Sequence, residues 1–260
     1  MAELTDLIRG AKVYDLAQPY FVGMPHHPAH PPFLFGLVKK HGDYTGPAGN
    51  SSASDSIALG THVGTHIDAL CHFSCGGRLH GGEDAAGAQS YDAGVQRLAI
   101  DTVPPIVRRG VLLDVARDRV LPRDLEITPD HLDAAAGRQR IEIRAGDVVL
   151  LRTGWARYFS DAPQFISEVH GPGPGIAGAR WLSGHGIYAE GSDTVAFEKV
   201  PDAAMPVHVH LLVESGIHII ECLNLEEIAE ARVYEFLFLA LPLKIRGATA
   251  SPIRPVAVVG

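Results

Sequence analysis

The sequence has few of the residues that would assign it to several common protein classes. Among its 260 residues are three cysteines, three methionines and two tryptophans. Three thiols, at Cys71, Cys75 and Cys222, cannot build a disulfide framework, and an odd number of cysteines is typical of reduced thiols. We therefore expect a cytoplasmic protein.

Long hydrophobic runs and an excess of positive charge are also missing. The longest apolar stretches, such as 236–243, are much shorter than the ~20 residues that span a bilayer. Residues 1–12 show no apolar core and no cleavage site of a signal peptide. The 22 basic and 30 acidic residues give a net charge of −8, which argues against nucleic acid and against a polybasic membrane anchor. We therefore expect the partner to be a small molecule.

Histidine, in contrast, is abundant, with 14 residues in a chain of globular composition. Imidazole serves metal binding and proton transfer near neutral pH. The spacing of these histidines is therefore the most informative feature of the sequence.

Short apolar runs bounded by turn residues predict buried strands. Thr128 as N-cap, followed by Pro129, predicts a helix that ends near Gly137, and a second helix is expected over 179–183. Because no linker and no strict βαβ repeat are visible, we expect one α/β domain over 1–260. The predicted strands are 11–16, 54–59, 110–115, 147–152, 187–191, 216–221, 234–243 and 256–259.

The segment 17–45 is rich in proline and histidine. Four prolines between Pro25 and Pro32 oppose both helix and ladder pairing. Long irregular segments in compact domains are often functional, so the segment is an active-site lid, an inter-subunit arm or a surface connector.

The densest histidine region is 61–72, which contains His62, His66, Asp68 and His72. His62 and His66 are four residues apart, a spacing that places both rings on one side of a helical turn. With Asp68 they form an open three-ligand set that suits Zn(II), Mn(II) or Fe(II). His72 is a further ligand or a general base. The alternatives are a chance pair on an exposed helix and a hydrogen-bonded core histidine.

This stretch resembles the HxGTHxDxPxH signature of the cyclase family, which includes bacterial kynurenine formamidase and isatin hydrolase. Leu70 stands where the signature has proline, which favours the isatin-hydrolase-like members. Further segments resemble the family along most of the chain: 104–114, 146–155, 191–194, 216–225 and 242–255. The resemblance implies a mixed, largely barrel-like β core of the swivelling β/β/α type, flanked by helices.

The resemblance also implies roles for single residues. His62, His66 and Asp68 would hold a first metal, and His72 would accept the proton of the attacking water. His208 and Glu221 would be distal ligands, which in formamidases bind a second metal bridged by Asp68, whereas isatin-hydrolase-like enzymes use one manganese. We therefore expect Mn(II) or Zn(II), with one or two ions per subunit.

Several further residues are candidates around this site. His210 is an alternative to His208 as the distal ligand, because residues two positions apart lie on the same face of a strand. Phe33, Phe73 and Trp181 are candidates for an aromatic wall, and His80 for substrate contact, although each is more often core or solvated loop. Three histidines of the segment 17–45 are candidates for the pocket mouth of the same or a neighbouring subunit: His26, His27 and His30.

Together these features predict a metal-dependent amidohydrolase that acts on a small cyclic or aryl amide, as isatin hydrolase does. Deformylation of N-formylkynurenine is the alternative within this class, and an imide or lactone substrate is also open. A non-catalytic metal-binding protein is the alternative from another class. The resemblance further implies a homodimer or homotetramer with exchange of N-terminal parts.

Overall fold

A computed structural model describes residues 9–260 of the chain. Its strands are β1 (Lys12–Asp15), β2 (Leu34–Lys39), β3 (Ser54–Ala58), β4 (His66–Asp68), β5 (Gln89–Ser90), β6 (Gly94–Val95), β7 (Ile106–Asp114), β8 (Glu126–Ile127), β9 (Val148–Arg152), β10 (Gly173–Pro174), β11 (Ala189–Ser192), β12 (His218–Glu221), β13 (Glu235–Ala240), β14 (Ala250–Pro252) and β15 (Val256–Val259). Its helices are α1 (Pro129–Gln139), α2 (Ala162–Ile166), α3 (Ile176–Gly184), α4 (Pro206–His208, continued as a π-helix over Val209–Ser215) and α5 (Glu226–Glu230). Short 3-10 turns lie at His80–Gly82, Ile100–Thr102 and Trp155–Tyr158.

Nine strands form one sheet in the order β1-β15-β13-β7-β9-β11-β12-β4-β14. The four central strands β7, β9, β11 and β12 run parallel, and every residue of β9 is buried. Continuous Val and Leu runs suit strands covered on both faces. The predicted mixed α/β fold with a barrel-like core is confirmed, as a curled half-barrel whose outer strands β1 and β14 do not pair with each other.

One edge of the sheet positions the histidine-rich region. β4 pairs antiparallel with β12, which sets His66 opposite Glu221. On its other side β4 pairs with β14, which sets Asp68 opposite Ala250. Residues from the first and the last third of the chain are thus hydrogen-bonded neighbours at this edge.

Helices cover one face of the sheet, and the side chains between the helices and the strands form an apolar core. Leu132 of α1, Leu182 of α3 and Leu211 of α4 are buried there against strand residues such as Leu151. Helix α1 begins as predicted, with Thr128 as N-cap in a reciprocal pair with His131. It ends at Gln139, two residues beyond the predicted end.

The predicted strands are present, with shifts of one to four residues at several ends, and the second predicted helix is longer, over Ile176–Gly184. Seven further strands were missed: β2, β4, β5, β6, β8, β10 and β14. The segment 17–45 contains β2, which begins at Leu34, two residues after the last proline of the segment, and pairs with β3. The predicted lack of a signal peptide concerns residues 1–12, of which 1–8 lie outside the described residues. Within 9–260, no helix has both the length and the apolar character that crossing a membrane requires.

Leu150 at the centre of β9 tests the core. Its side chain is fully buried, so Leu150→Ala should lower the free energy of unfolding by about 2–5 kcal/mol, because a cavity replaces packed methyl groups. Urea denaturation measures this change. Val107→Ala on β7 is the control, since Val107 is 60% exposed and should change stability by less than about 0.5 kcal/mol. Similar losses in both variants would contradict this packing.

Candidate metal centre

The histidine-rich region begins in a tight turn and continues as strand β4. The prediction that His62 and His66 share a helical turn is therefore wrong: the chain turns over 61–65 and is extended from His66. Gly64 allows this turn with a φ of +66°, and an added Cβ would lie 2.7 Å from the Tyr20 ring. Thr65 ties the turn to the end of β12, since its hydroxyl donates to the Cys222 carbonyl at 2.7 Å.

Asp68 lies at the centre of a buried cluster of imidazoles. Its Oδ1 is 2.8 Å from His62 Nδ1 and 3.5 Å from His66 Nε2, and its Oδ2 is 4.0 Å from His72 Nε2. Ligand atoms of His62, Asp68 and His72 lie within 4.8 Å of one another. The structure thus brings together all four residues that the sequence singled out in 61–72.

A second group of donors shares the same carboxylate. Ligand atoms of Asp68, His208 and Glu221 also lie within 4.8 Å of one another. Glu221 bridges the two groups, since its Oε2 is 3.5 Å from His66 Nε2 and its Oε1 is 3.4 Å from His208 Nε2. Asp68 therefore stands where it can serve two ions at once.

These donors fit a divalent cation. His66 Nε2, Asp68 Oδ1 and Glu221 Oε1 are buried and make no hydrogen bond of acceptable geometry, although imidazole nitrogens lie 2.8 and 3.4 Å from the two oxygens. Buried polar atoms are almost always paired, because leaving them unpaired is costly. Nitrogen and carboxylate oxygen donors directed at a common centre are the set that Zn(II) and Mn(II) take.

Contacts behind the ligands orient their rings. His66 Nδ1 donates to the Gly64 carbonyl at 2.8 Å, and His62 Nε2 lies 2.9 Å from the Thr249 hydroxyl. His208 Nδ1 lies 2.5 Å from Glu198 Oε1. Thr249 and Glu198 were not predicted from the sequence. Thr249 is 187 residues from its partner, so no local spacing signals it.

Burial and charge shift the pKa values of these groups. Burial opposes the ionised form of Asp68, but the imidazoles of His72 and His62 outweigh it and hold the carboxyl pKa well below its usual range. Burial lowers the pKa of His72 to about 3, so this ring is neutral at neutral pH. For His208, burial lowers the pKa, but hydrogen bonds to Glu198 and Glu221 raise it to about 10.

A pocket of about 490 Å³ opens onto this cluster. The Phe73 ring forms one wall, 5.0 Å from the His72 ring and 4.8 Å from the His208 ring. His30 stacks on His62 with ring centres 4.7 Å apart, so the proline- and histidine-rich segment contributes to the pocket of its own chain. The other lining residues are His27, Ala29, Val169, Val195, Ala196, Val200, Pro201, Asp202, Ala203, Met205 and Glu221.

Three of the four residues predicted to contact substrate lie elsewhere. Phe33 is buried against Tyr20, with ring centres 5.5 Å apart. The His80 ring meets the Val213 carbonyl beside the π-helix of α4. Trp181 lies between α3 and α1, where its indole donates to Asp133. Each aromatic side chain therefore serves packing rather than the pocket.

His210 is also outside the cluster. The prediction that it shares a strand face with His208 is wrong, because both residues lie on α4, where a spacing of two points them in different directions. His210 binds Glu214 at 2.8 Å and Ser183 at 2.9 Å. Cys71 and Cys222 are buried and Cys75 is exposed, and none belongs to a group of possible metal ligands among residues 9–260.

A family model with the description "Putative cyclase" matches residues 14–199. The chain is 27% identical to isatin hydrolase of Roseibium aggregatum over 211 residues, which cover 78% of this chain and 73% of that protein. It is 26% identical to kynurenine formamidase of Bacillus thuringiensis over 243 residues, or 93% and 95% of the two chains.

Solved structures give the same result for the fold. A crystal structure of a novel cyclase superposes with a TM-score of 0.89 at 30% identity, over 99% of this chain and 90% of the other. Isatin hydrolase A from Ralstonia solanacearum superposes with a TM-score of 0.77 at 27% identity, over 100% and 96% of the two chains.

His66→Ala tests the metal centre. His66 Nε2 is a potential metal ligand that lies between Asp68 and Glu221 without a hydrogen bond. Its loss should abolish metal binding. Added Mn(II) or Zn(II) should then no longer raise the melting temperature as it does in the native protein. Elemental analysis after dialysis and thermal unfolding with and without metal measure both effects. His210→Ala is the matched control and should keep the metal. Undiminished metal content in His66→Ala would contradict the assignment.

Proposed function

The chain belongs to the Cyclase family, whose relatives here are hydrolases, and on that premise we propose that it cleaves the C–N bond of a small, uncharged cyclic or aryl amide, as in isatin. The observation that carries this proposal is the position of a neutral imidazole beside a metal-type donor cluster at the base of an apolar pocket. The steps below follow from the side chains that form it.

The proposal has two sets of metal ligands, which share Asp68. His62, His66 and Asp68 would hold a first Mn(II) or Zn(II) ion, and His208 and Glu221, with Asp68, a second. When bound, such an ion acts as a Lewis acid that polarises the substrate carbonyl and lowers the pKa of water. The pocket opens onto these donors, unlike a structural metal site, which is closed by its protein ligands.

His72 is the proposed general base. Its ring is neutral and lines the pocket. It accepts a proton from the water that attacks the carbonyl carbon, and it then gives that proton to the leaving nitrogen as the C–N bond breaks. One water is consumed and one bond is cleaved, and no covalent enzyme intermediate is required.

The pocket lining favours an uncharged substrate. Among the described residues that line it, none is Arg or Lys, and one exposed acid, Asp202, lies at its rim. The α-carboxylate of N-formylkynurenine would find no arginine or lysine here, whereas a planar neutral amide can pack against Phe73. This favours isatin-like ring opening.

Deformylation of N-formylkynurenine is the second candidate. The alignment with kynurenine formamidase of Bacillus thuringiensis covers 95% of that protein, more than the 73% covered for isatin hydrolase. The distal pair of His208 and Glu221 is also the feature that the sequence analysis associated with formamidases. These two observations are the reason to test the formyl amide alongside isatin.

A hydrolysis screen separates the candidates. We expect the metal-loaded protein to open isatin with a higher kcat/KM than it shows for N-formylkynurenine, with cyclic imides and lactones as further substrates in the screen. His72→Ala should keep its metal and lower kcat by about 10²–10⁴-fold, the range typical of a lost general base. His210→Ala should retain full activity.

Faster turnover of N-formylkynurenine than of isatin would reverse the order of the two candidates. No turnover of any of these substrates would overturn the proposal. Loss of metal from His72→Ala would reassign His72 as a ligand.

We further propose a cytoplasmic homodimer or homotetramer with N-terminal exchange, in which β2, at the end of the segment 17–45, packs on a second copy while His30 stays in the pocket of its own chain. The hairpin of β2 and β3 is exposed on both faces and carries large apolar side chains. An isolated two-stranded hairpin is marginally stable in water, so a second copy of the chain is its natural cover. The exposed apolar residues are Leu34, Phe35, Leu37, Val38 and Ile57.

Substitutions that place charged residues on this hairpin test the assembly. Leu37→Asp combined with Ile57→Asp should convert the oligomer to a monomer, because buried carboxylates without partners oppose association. Size-exclusion chromatography with light scattering measures the mass. Tyr91→Asp is the control, since Tyr91 is fully exposed outside the hairpin. A native protein that is monomeric, or a double variant of unchanged mass, would refute the exchange.

A further inference from the structure

Glu198 and His208 form a buried pair behind the distal metal ligands. Glu198 is 1% exposed and His208 is 3% exposed. One carboxylate oxygen of Glu198 accepts from His208 twice, from ring Nδ1 at 2.5 Å and from the backbone N–H at 2.9 Å. Its other oxygen faces the Val207 N–H at 3.4 Å. The carboxylate thus holds both the ring and the backbone at the start of α4.

This contact decides which ring nitrogen faces the metal donors. Because Nδ1 donates its hydrogen to Glu198, Nε2 is the nitrogen on the opposite side, and it would become a ligand once its own proton is released. Nε2 points to Glu221, whose Oε1 is 3.4 Å away. A carboxylate behind a ligand histidine fixes its tautomer and makes the imidazole a stronger ligand.

The other two ligand histidines have uncharged partners behind them. His66 Nδ1 donates to the Gly64 carbonyl, and His62 Nε2 meets the Thr249 hydroxyl. Of the three, only His208 is backed by a charge. The two ion sites should therefore respond differently when that charge is removed.

We propose that Glu198 is a positioning residue that sets the affinity of the distal ion without touching it. It holds His208 with Nε2 toward Asp68 and Glu221, and its negative charge strengthens that imidazole as a ligand. The inference rests on the proposed function in one respect, the assignment of Asp68, His208 and Glu221 to a second ion.

Glu198→Gln is the decisive variant, because the amide oxygen still accepts from Nδ1 while the charge is gone. Mn(II) titration of the metal-free protein, followed by electron paramagnetic resonance, separates the two sites, since a second ion converts the signal of a single Mn(II) into that of a spin-coupled pair. We expect the second binding step to weaken about 10–100-fold, with the first step little changed. Glu198→Ala, which loses the acceptor as well, should weaken the second step further.

Glu214→Gln is the matched control. Glu214 binds His210 at 2.8 Å on the same α4 segment, so the control makes the same substitution in a histidine–carboxylate pair away from the metal donors. Both binding steps should match those of the native protein in this variant.

Three results would overturn the inference: a second step that Glu198→Gln leaves unchanged, an equal weakening of both steps, or a native protein that binds a single ion. None of them depends on turnover, so each is distinguishable from a failure of the hydrolase proposal, which the substrate screen reports.

A measurement on the native protein covers the case in which Glu198→Gln does not fold. In the zinc-loaded protein with ¹⁵N-labelled histidine, the His208 resonances, assigned by their absence in His208→Gln, should show a protonated Nδ1 and a metal-bound Nε2. The opposite pattern would refute the role of Glu198.

Discussion

Four carboxylates lie buried within one small region, and the cost of removing them from water is the constraint that organises it. Asp68, Glu190, Glu198 and Glu221 are each 5% exposed or less. An ionised carboxylate is stable there only if it is paired or bound to a cation. Asp68 and Glu221 lie beside imidazoles and direct oxygens at a common centre, where a cation would stabilise them. Glu198 accepts from three N–H donors.

Glu190 avoids the cost of a buried charge in a different way. Both of its oxygens lack a hydrogen-bond partner in the structure, and burial raises the pKa of its carboxyl well above the usual value. It is therefore stable as the neutral acid beside the charged His208–Glu198 pair. Two glutamates of similar burial thus carry different charges, because only one of them has donors to accept from.

The sequence predicted the parts of the site that lie close together along the chain. His62, His66, Asp68 and His72 fall within eleven residues, and the continuous runs of Val and Leu in β7 and β9 indicated the central strands. The backbone of the motif was predicted wrongly, since a spacing of four residues is compatible with a turn before a strand as well as with a helix.

Contacts between distant segments were beyond prediction from periodicity. Thr249 reaches His62 only because β14 pairs with β4, and Trp181 misses the pocket because α3 turns its indole toward α1. The missed strand β2 follows a proline-rich stretch that concealed its start, and its exposed apolar residues look like core when read without the fold.

The pairing of β4 with β14 has a consequence for how the protein is made. The motif residues 62–72 are synthesised well before β14, which flanks them, and before Thr249, which precedes that strand. The strand β1 likewise pairs with β15 only after the rest of the sheet has been synthesised. Glu221 follows His62 by 159 residues, so the nascent chain carries the motif without its distal partners for a long part of its synthesis.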